Sequence, residues 1–432
     1  MHHDTLSNFR HRIYGYLGKA HDATFELIDA VLTTRHAYSF VELSQSPLFR
    51  RRWPSLYEAL QDSRPQRQRL MGLYCEQIPR QTPIVLAGDH TSWSRPAARC
   101  LPERTHEHSA QGGRGVVTVG QGYSSLAWIP EAQGSWALPL CHERITSWES
   151  PLTKAAFQLK QVCNVLPSRP LTLWDSEYGC ASFVLKTADI AADKLMRLRP
   201  NRTLWGAPPP YSGRGRPRVH GEPFRLKEPN TWWPADQALC QVHPRLGRVH
   251  VSLWHQLHFR QAAAHALSLI QVQRLDDVGV SRSSRPLWLV WLGDTLPPLE
   301  ILWQDYLRRF AIEHWYRFLK QRLHWTLPQL QDPKAAERWS ALMLMASWQL
   351  WLARDRVRDA PFPWQKPLPQ LTPGRVADSI APLLAHLGTP TQPPKPRGKS
   401  PGWQTGRQRT PKPRCPTVRK RARRPKQSPK PA

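Results

Sequence analysis

The sequence has few acidic residues and no long apolar run. Its 432 residues include 61 Lys and Arg but 32 Asp and Glu, which gives a formal net charge of +29. A membrane-spanning helix needs roughly twenty apolar residues, whereas the best apolar run, residues 287–292, has the length of a strand. The first residues, MHHDTLSNFRHR, lack the apolar core of a secretion signal. We therefore expect a cytoplasmic protein without a membrane partner.

Cysteine is also sparse. The seven cysteines are scattered, their number is odd and no C-x-x-C pair occurs, which argues against both a disulfide framework and a structural zinc site. The length allows a substantial core and two or three domains, as in an enzyme. The excess of positive charge favours a polyanionic partner, either nucleic acid or an acidic membrane surface, and charge alone does not choose between them.

The chain divides into regions of different pattern. Residues 1–80 contain helical patterns, such as residues 23–32, and predict a helical N-terminal module that either binds DNA or caps the main domain. Residues 81–375 alternate strands and helices, which predicts an α/β domain with a mixed sheet flanked by helices. Within that domain, residues of about 200–290 look loop-like and then strand-like, which indicates a β-rich insertion.

The C-terminal segment, residues 390–432, contains no acidic residue and is rich in Pro, Lys and Arg. Such a composition cannot bury enough apolar surface to offset the entropy of ordering, so it predicts a disordered basic tail. The tail is either a nonspecific clamp on phosphate or a solubilising extension.

Two aspartates follow predicted strands. Asp89 comes after the apolar run 84–87, and Asp175 comes directly after 171–174. Sites often form at strand ends in sheet proteins, although Asp is also common in turns because of its local hydrogen bonds. The position of each aspartate alone leaves both interpretations open.

A long helix is predicted from residue 299 to 325, with one polar stripe and one apolar face. At about 100° per residue, the polar stripe consists of Tyr306, Arg309, Glu313 and Lys320. The apolar face consists of Ile312, Trp315, Leu319 and Leu323. A solvated amphipathic helix with ordinary ion pairs has the same periodicity.

Carboxylates and cations in this combination suit phosphodiester cleavage. Two divalent cations about 3.5 to 4 Å apart require a cluster of carboxylates, and cationic side chains fix the phosphates. Magnesium prefers hard oxygen ligands and keeps positions open for water and substrate. Asp89, Asp175 and Glu313 could hold such ions, with Arg309 and Lys320 beside them as phosphate clamps.

The same residues resemble those of a known family. The segment YLRRFAIEHWYRFLK is similar to the Y-(2)-R-(3)-E-(6)-K signature of DDE-type insertion-sequence transposases, with every interval matched. GDHTSW and LWDSEYG resemble the segments around that family's two aspartates, and the likeness extends over about residues 35–358. The resemblance implies a ribonuclease-H-like catalytic domain with a β-rich insertion between the second Asp and the Glu.

The resemblance also implies site roles, cofactor and partners. Asp89, Asp175 and Glu313 would be the catalytic metal ligands for two Mg²⁺ ions, with Mn²⁺ as a substitute. Tyr306, Arg309 and Lys320 would contact phosphates of the transposon end. The enzyme would cut at the terminal inverted repeats and transfer the exposed 3′-hydroxyl into target DNA. It would act as a dimer in the synaptic complex, associated with the nucleoid.

Two other classes of function remain as alternatives. One is a noncatalytic DNA-binding protein, either a remnant of an element or a repressor of transposition. The intact acidic triad argues against decay. The other is a metal-dependent nuclease of repair or defence, which would not need paired DNA ends.

Some further residues are candidates for the site. Asp294 follows the apolar run 287–292 and is the rival metal ligand, although a helix N-cap explains it more simply. Glu177 could assist a metal through water. Trp205, Trp232 and Trp233 lie among basic residues, and a Trp there is either a base-stacking residue, as in related transposases, or part of the core.

Overall fold

A computed structural model describes residues 3–81, 83–108, 117–276, 286–396, 402, 404–408 and 410–420. Four helices precede the first strand: α1 (His3–Gly15), α2 (His21–Thr33), α3 (Pro54–Asp62) and α4 (Arg67–Glu76). Residues 24–32 of α2 are all buried, because this helix packs against α1, α3 and a later helix of residues 333–353. The N-terminal helices therefore cover the main domain and contribute to one continuous apolar core.

Buried ion pairs hold these helices in place. Arg10 of α1 donates to both carboxylate oxygens of Asp29 on α2, at 2.8 and 3.0 Å, and its side chain is 2% exposed. The same guanidinium donates to Gln349 in the helix of residues 333–353. A bidentate pair of this kind fixes orientation as well as distance.

One mixed sheet organises the main domain. Its first elements are β1 (Val85–Ser94), β2 (Thr105–His108), β3 (Val117–Trp128), β4 (Leu138–Ile145), α5 (Pro151–Cys163), β5 (Leu171–Trp174), α6 (Ala181–Lys186) and β6 (Asp193–Arg197). The central order is β4-β3-β1-β5-β6, with β3 antiparallel to β1 and β4, and with β1, β5 and β6 parallel. This helix-flanked mixed sheet is consistent with a ribonuclease-H-like fold.

The sheet continues beyond β6. The next strands are β7 (Thr203–Trp205), β8 (Pro223–Arg225), β9 (Gln237–His243), β10 (Gly247–Leu257), β11 (Leu267–Arg274) and β12 (Leu287–Leu292). β12 pairs antiparallel with β6, and β11, β10 and β9 follow in turn. β7 and β8 form a separate pair. The strands from β9 to β12 therefore extend the central sheet.

Five helices complete the described chain: α7 (Leu299–Leu307), α8 (Phe310–Gln321), α9 (Pro333–Ala353), α10 (Pro373–Ser379) and α11 (Ala381–Leu387). The prediction of one unbroken helix over 299–325 is wrong. The N–H groups of Arg308 and Arg309 bond to carbonyls three residues back, at 3.1 and 3.2 Å, and this tight turn separates α7 from α8. Among the described residues, no helix combines the length and apolar character needed to cross a bilayer.

Part of the predicted tail is bound to the folded domain. The Thr391 hydroxyl donates to Glu26 at 3.0 Å, and the Val418 N–H donates to the Arg104 carbonyl at 2.7 Å, next to β2. The prediction of disorder from about residue 390 is therefore wrong for these positions, because the domain supplies hydrogen-bond partners. Residues 397–401, 403, 409 and 421–432 lie outside the described residues.

Candidate active site

The two predicted aspartates lie side by side at one edge of the sheet. In the parallel pair of β1 and β5, Gly88 is the partner of Trp174, so Asp89 and Asp175 follow at the same level. β5 ends at Trp174, but β1 continues to Ser94 and stays paired with β3. Asp89 is therefore inside a strand, and the expectation that it follows the strand end is wrong. Asp175 begins a turn in which its Oδ1 accepts from the Glu177 N–H at 2.9 Å.

The residue before each aspartate explains how close the two strands approach. The Trp174 indole is fully buried and lies against the backbone of Gly88. A Cβ at position 88 would lie 1.9 Å from Cζ3 of that ring. Trp174 therefore fits here only because residue 88 is glycine. The positions of Asp89 and Asp175 depend on this packing.

The third predicted carboxylate, Glu313, lies on α8 and is linked to Asp89 by Arg309. α8 packs on β1, and Arg309 at its N-terminus lies between Asp89 and Glu313. Its Nη1 is 3.4 Å from Asp89 Oδ2, and its Nη2 is 2.5 Å from Glu313 Oε1. The side chains of Arg309, Asp89 and Glu313 are 6%, 14% and 48% exposed. The guanidinium is thus nearly enclosed, whereas Glu313 is open to solvent.

The charges at this edge influence one another. Burial raises the pKa of Asp89 to about 6; the Arg309 guanidinium opposes this rise and the Asp175 carboxylate adds to it. Burial alone lowers the pKa of Arg309, but Tyr306, Asp89, Glu313 and Asp175 together raise it above its ordinary value. Arg309 is therefore held as a cation by the same carboxylates that the sequence predicted as metal ligands.

The polar stripe of the sequence is only partly exposed. Tyr306 is 2% and Arg309 5% exposed, so these two residues of the stripe are buried, whereas the Glu313 side chain is 48% exposed. Lys320 donates to the Thr91 hydroxyl of β1 at 2.8 Å, and burial lowers the pKa of Lys320. The predicted apolar face is buried: Ile312, Trp315 and Leu319 lie on α8, and Leu323 follows the end of that helix.

The comparison with known families identifies the superfamily of the chain. A family model described as DDE superfamily endonuclease matches residues 12–260, more than half of the chain. The chain belongs to the DDE superfamily endonucleases. The match includes Asp89 and Asp175 and ends before Glu313. Membership implies DNA as the substrate and a nuclease- or transposase-type activity. Comparison with the curated proteins found no match.

The donor set of this endonuclease fits a divalent cation by its chemistry. Asp89, Asp175 and Glu313 supply carboxylate oxygens, which Mg²⁺ prefers. In the part of the chain that the structure describes, no three Asp, Glu, His or Cys side chains are close enough together to hold an ion. At this edge the Arg309 guanidinium lies in the gap between Asp89 and Glu313. An ion that bound both carboxylates would take the place of the guanidinium.

Several residues near Asp89 were not predicted from the sequence. Thr91 lies two residues after Asp89 and therefore on the same strand face. Tyr316 lies three residues after Glu313, and Tyr178 follows Asp175 in the turn. Burial raises the pKa of both tyrosines well above the ordinary value, and the Asp89 carboxylate adds to this, so both hydroxyls stay protonated. Strand and helix periodicity, applied from the two acidic residues outward, would have identified Thr91 and Tyr316.

The rival ligand Asp294 does not reach this site. β12 runs antiparallel to β6, so its C-terminal end lies at the edge of the sheet opposite to Asp175. Asp294 is 75% exposed and forms an ion pair with Arg169 at 2.9 Å. The helix-cap interpretation is also wrong, because α7 has Pro298 at its N-cap position. Glu177 lies 3.7 Å from His90 beside the site.

The three candidate tryptophans have different surroundings. Trp232 and Trp233 are half-buried and pack on the buried Phe224, with ring centroids 5.9 and 4.9 Å away, and Trp232 also lines an open groove with Arg199 and Lys227. Trp205 lines another open groove, together with Arg202, Arg225 and Arg260. The Arg260 guanidinium lies 5.6 Å from the Trp205 ring centroid. The groove therefore combines an aromatic face with three guanidinium groups.

Proposed function

We propose that this endonuclease is a DDE transposase that cuts at transposon ends and transfers the exposed 3′-hydroxyl into target DNA. What supports the proposal is the adjacency of Asp89 and Asp175 on paired strands and the Arg309 bridge from Asp89 to Glu313, within a chain of formal charge +29. The Y-(2)-R-(3)-E-(6)-K spacing supports transposition over simple hydrolysis. We further propose that two copies assemble on paired ends and that the protein associates with the nucleoid.

Asp89, Asp175 and Glu313 would hold two Mg²⁺ ions, with Mn²⁺ as a substitute. Bound there, such ions activate water and stabilise the attacking and leaving oxygens. The half-exposed Glu313 lies on the solvent side, where the phosphodiester would enter. The protonated hydroxyls of Tyr178 and Tyr316 would act as hydrogen-bond donors near the Asp89 carboxylate.

The cationic residues would position the DNA. Lys320 and Arg309 are proposed to contact phosphates after exchanging their present partners, Thr91 for Lys320 and the carboxylates for Arg309. Tyr306 would support this contact from beneath the Arg309 guanidinium, which lies 5.9 Å from its ring centroid. The groove of Trp205 suits a flanking strand with one base stacked on the indole. The basic C-terminal segment would add nonspecific binding to phosphate.

The test is magnesium-dependent cleavage of a labelled DNA fragment that carries the terminal repeats flanking the element. Wild type is compared with Glu313→Gln and with Glu300→Gln, a matched change of an exposed carboxylate on α7. Cutting at the repeat ends by wild type and Glu300→Gln, with none by Glu313→Gln despite normal DNA binding, is the expected result. Transfer of a pre-cut end into a supercoiled plasmid should follow the same order.

Other outcomes would favour the alternatives. Metal-dependent cutting without regard to the repeats would indicate a nuclease of repair or defence. Tight DNA binding without cutting by wild type would indicate a noncatalytic DNA-binding protein. Cutting by Glu313→Gln at the wild-type rate would remove Glu313 from the site.

A further inference from the structure

The Arg309 guanidinium occupies the position between two carboxylates that a divalent cation would take. We propose that Arg309 is an exchangeable counter-cation: it neutralises the carboxylates of the metal-free enzyme, and divalent cations displace it. This inference rests on the proposed function, because it assumes that Asp89 and Glu313 bind metal. It assigns to Arg309 a positioning role at the carboxylates that precedes any contact with DNA.

The contacts at Arg309 support the metal-free half of this exchange. One terminal nitrogen lies near Asp89 and the other donates to Glu313, so a single planar group spans carboxylates from β1 and α8. Asp175 is the immediate neighbour of Asp89 and adds a further negative charge. Several like charges in a partly buried site repel one another unless a cation lies among them. Without metal, that cation is Arg309.

The surroundings of Arg309 also allow the displacement. The residue stands in the tight turn between α7 and α8 and therefore does not depend on the interior of a long helix. Its guanidinium lies 5.4 Å from the ring centroid of Phe310, which is 45% exposed. Solvent therefore reaches Phe310 and Glu313, the two residues beside the guanidinium. The released cation would then be available to a phosphate.

The exchange has a thermodynamic consequence for metal binding. A cation that must first leave reduces the apparent affinity of the ion that replaces it. Removing Arg309 should therefore raise the affinity for metal and lower the thermal stability of the metal-free protein. If Arg309 were purely structural, its removal would lower thermal stability without raising the affinity for metal.

The direct experiment labels arginines of the wild-type protein with phenylglyoxal and quantifies each modified peptide by mass spectrometry. In EDTA, Arg309 should be protected because its side chain is 6% exposed. Saturating Mn²⁺ should raise its labelling severalfold, while the exposed Arg317 of α8 serves as the unchanged reference. Protection of Arg309 that persists in saturating Mn²⁺ would overturn the proposal.

A second measurement uses Arg309→Met with Arg317→Met as the charge-matched control on the same helix. Calorimetric Mn²⁺ affinity should rise by at least about tenfold in Arg309→Met, because a unit charge within several ångströms opposes the ion. The solvent-screened Arg317→Met should change it by less than about twofold. Melting temperature in EDTA should fall for Arg309→Met and recover with Mn²⁺. If Arg309→Met does not fold, Arg309→Lys, which cannot span both carboxylates, should show a smaller shift in the same direction.

The failure of this inference can be told apart from failure of the proposed function. If Glu313→Gln leaves Mn²⁺ affinity unchanged, the metal site itself is wrong and both proposals fall. If Glu313→Gln weakens Mn²⁺ binding but Arg309→Met does not tighten it, the metal site stands and the exchange is overturned.

Discussion

The close approach of Gly88 to Trp174 makes a strong prediction for Gly88→Ala. The added Cβ would lie 1.9, 2.3 and 2.5 Å from Cζ3, Cη2 and Cε3 of the indole, far inside ordinary van der Waals contact. The ring has no room to retreat, since it packs on Tyr178 and Phe183 at centroid distances of 4.9 and 4.7 Å and its Nε1 donates to Thr172. The strands must therefore separate or the ring must leave its rotamer.

The cost follows from what overpacking does in protein cores. Inserting a methyl group into a well-packed site typically costs about 1–3 kcal/mol, and this overlap places Gly88→Ala near the upper end. In a chain of this size 1 kcal/mol shifts the melting temperature by roughly 2 °C, so we expect a fall of about 6 °C. The two carboxylates that follow these residues should also move, which lowers Mn²⁺ affinity as well.

The assay is thermal unfolding followed by circular dichroism, with Gly72→Ala as a matched control. A Cβ at Gly72 meets nothing within 4 Å, and the residue lies inside α4, so this change should raise stability by about 0.5–1 kcal/mol. The same Gly→Ala exchange is thus expected to have opposite signs at the two positions.

A double-mutant cycle isolates the clash. Trp174→Phe removes the three ring atoms that the new Cβ would meet, so the pair Gly88→Ala with Trp174→Phe should be more stable than the sum of the single changes predicts, by about 1–3 kcal/mol. Strict additivity, or a melting temperature of Gly88→Ala equal to that of wild type, would refute the reasoning.

Two further predictions concern groups outside the carboxylate cluster. Burial lowers the pKa of His142 to about 3, and its Nδ1 lies 2.7 Å from the Ser125 hydroxyl, so the folded state holds the imidazole neutral. The unfolded chain takes up this proton near pH 6.5. The free energy of unfolding therefore falls by up to about 5 kcal/mol as the pH falls from 6.5 toward 3. His142→Gln should flatten the decline in melting temperature between pH 6.5 and 4, and an unchanged decline would contradict this. Glu26, fully buried, pairs with Arg50 at 2.8 Å and accepts from Thr391, so Glu26→Gln should cost about 2 kcal/mol and speed proteolysis near Thr391. Equal digestion rates in Glu26→Gln and the Glu300→Gln control would contradict the second prediction.

Local sequence determined much of what surrounds the site. Apolar runs bounded by turn residues predicted the strands that carry Asp89 and Asp175, because strands buried on both faces are apolar along their length. Helical periodicity predicted the buried face of α8, since spacing along a helix defines its face whatever it packs against. The roles of the three carboxylates and of Tyr306, Arg309 and Lys320 stay predictions.

Tertiary structure decided where those elements meet. Periodicity predicts that Tyr306 and Arg309 share a stripe with Glu313, but only tertiary packing decided that Tyr306 and Arg309 are buried while Glu313 is exposed. The antiparallel direction of β12 places Asp294 at the edge of the sheet opposite to Asp175. The sequence pattern of a strand does not show whether it pairs in a parallel or an antiparallel direction. The position of Arg309 between carboxylates from β1 and α8 depends on residues 220 and 4 positions away in the chain, respectively. Local sequence determines which face a residue occupies, while long-range packing determines which charges that face meets.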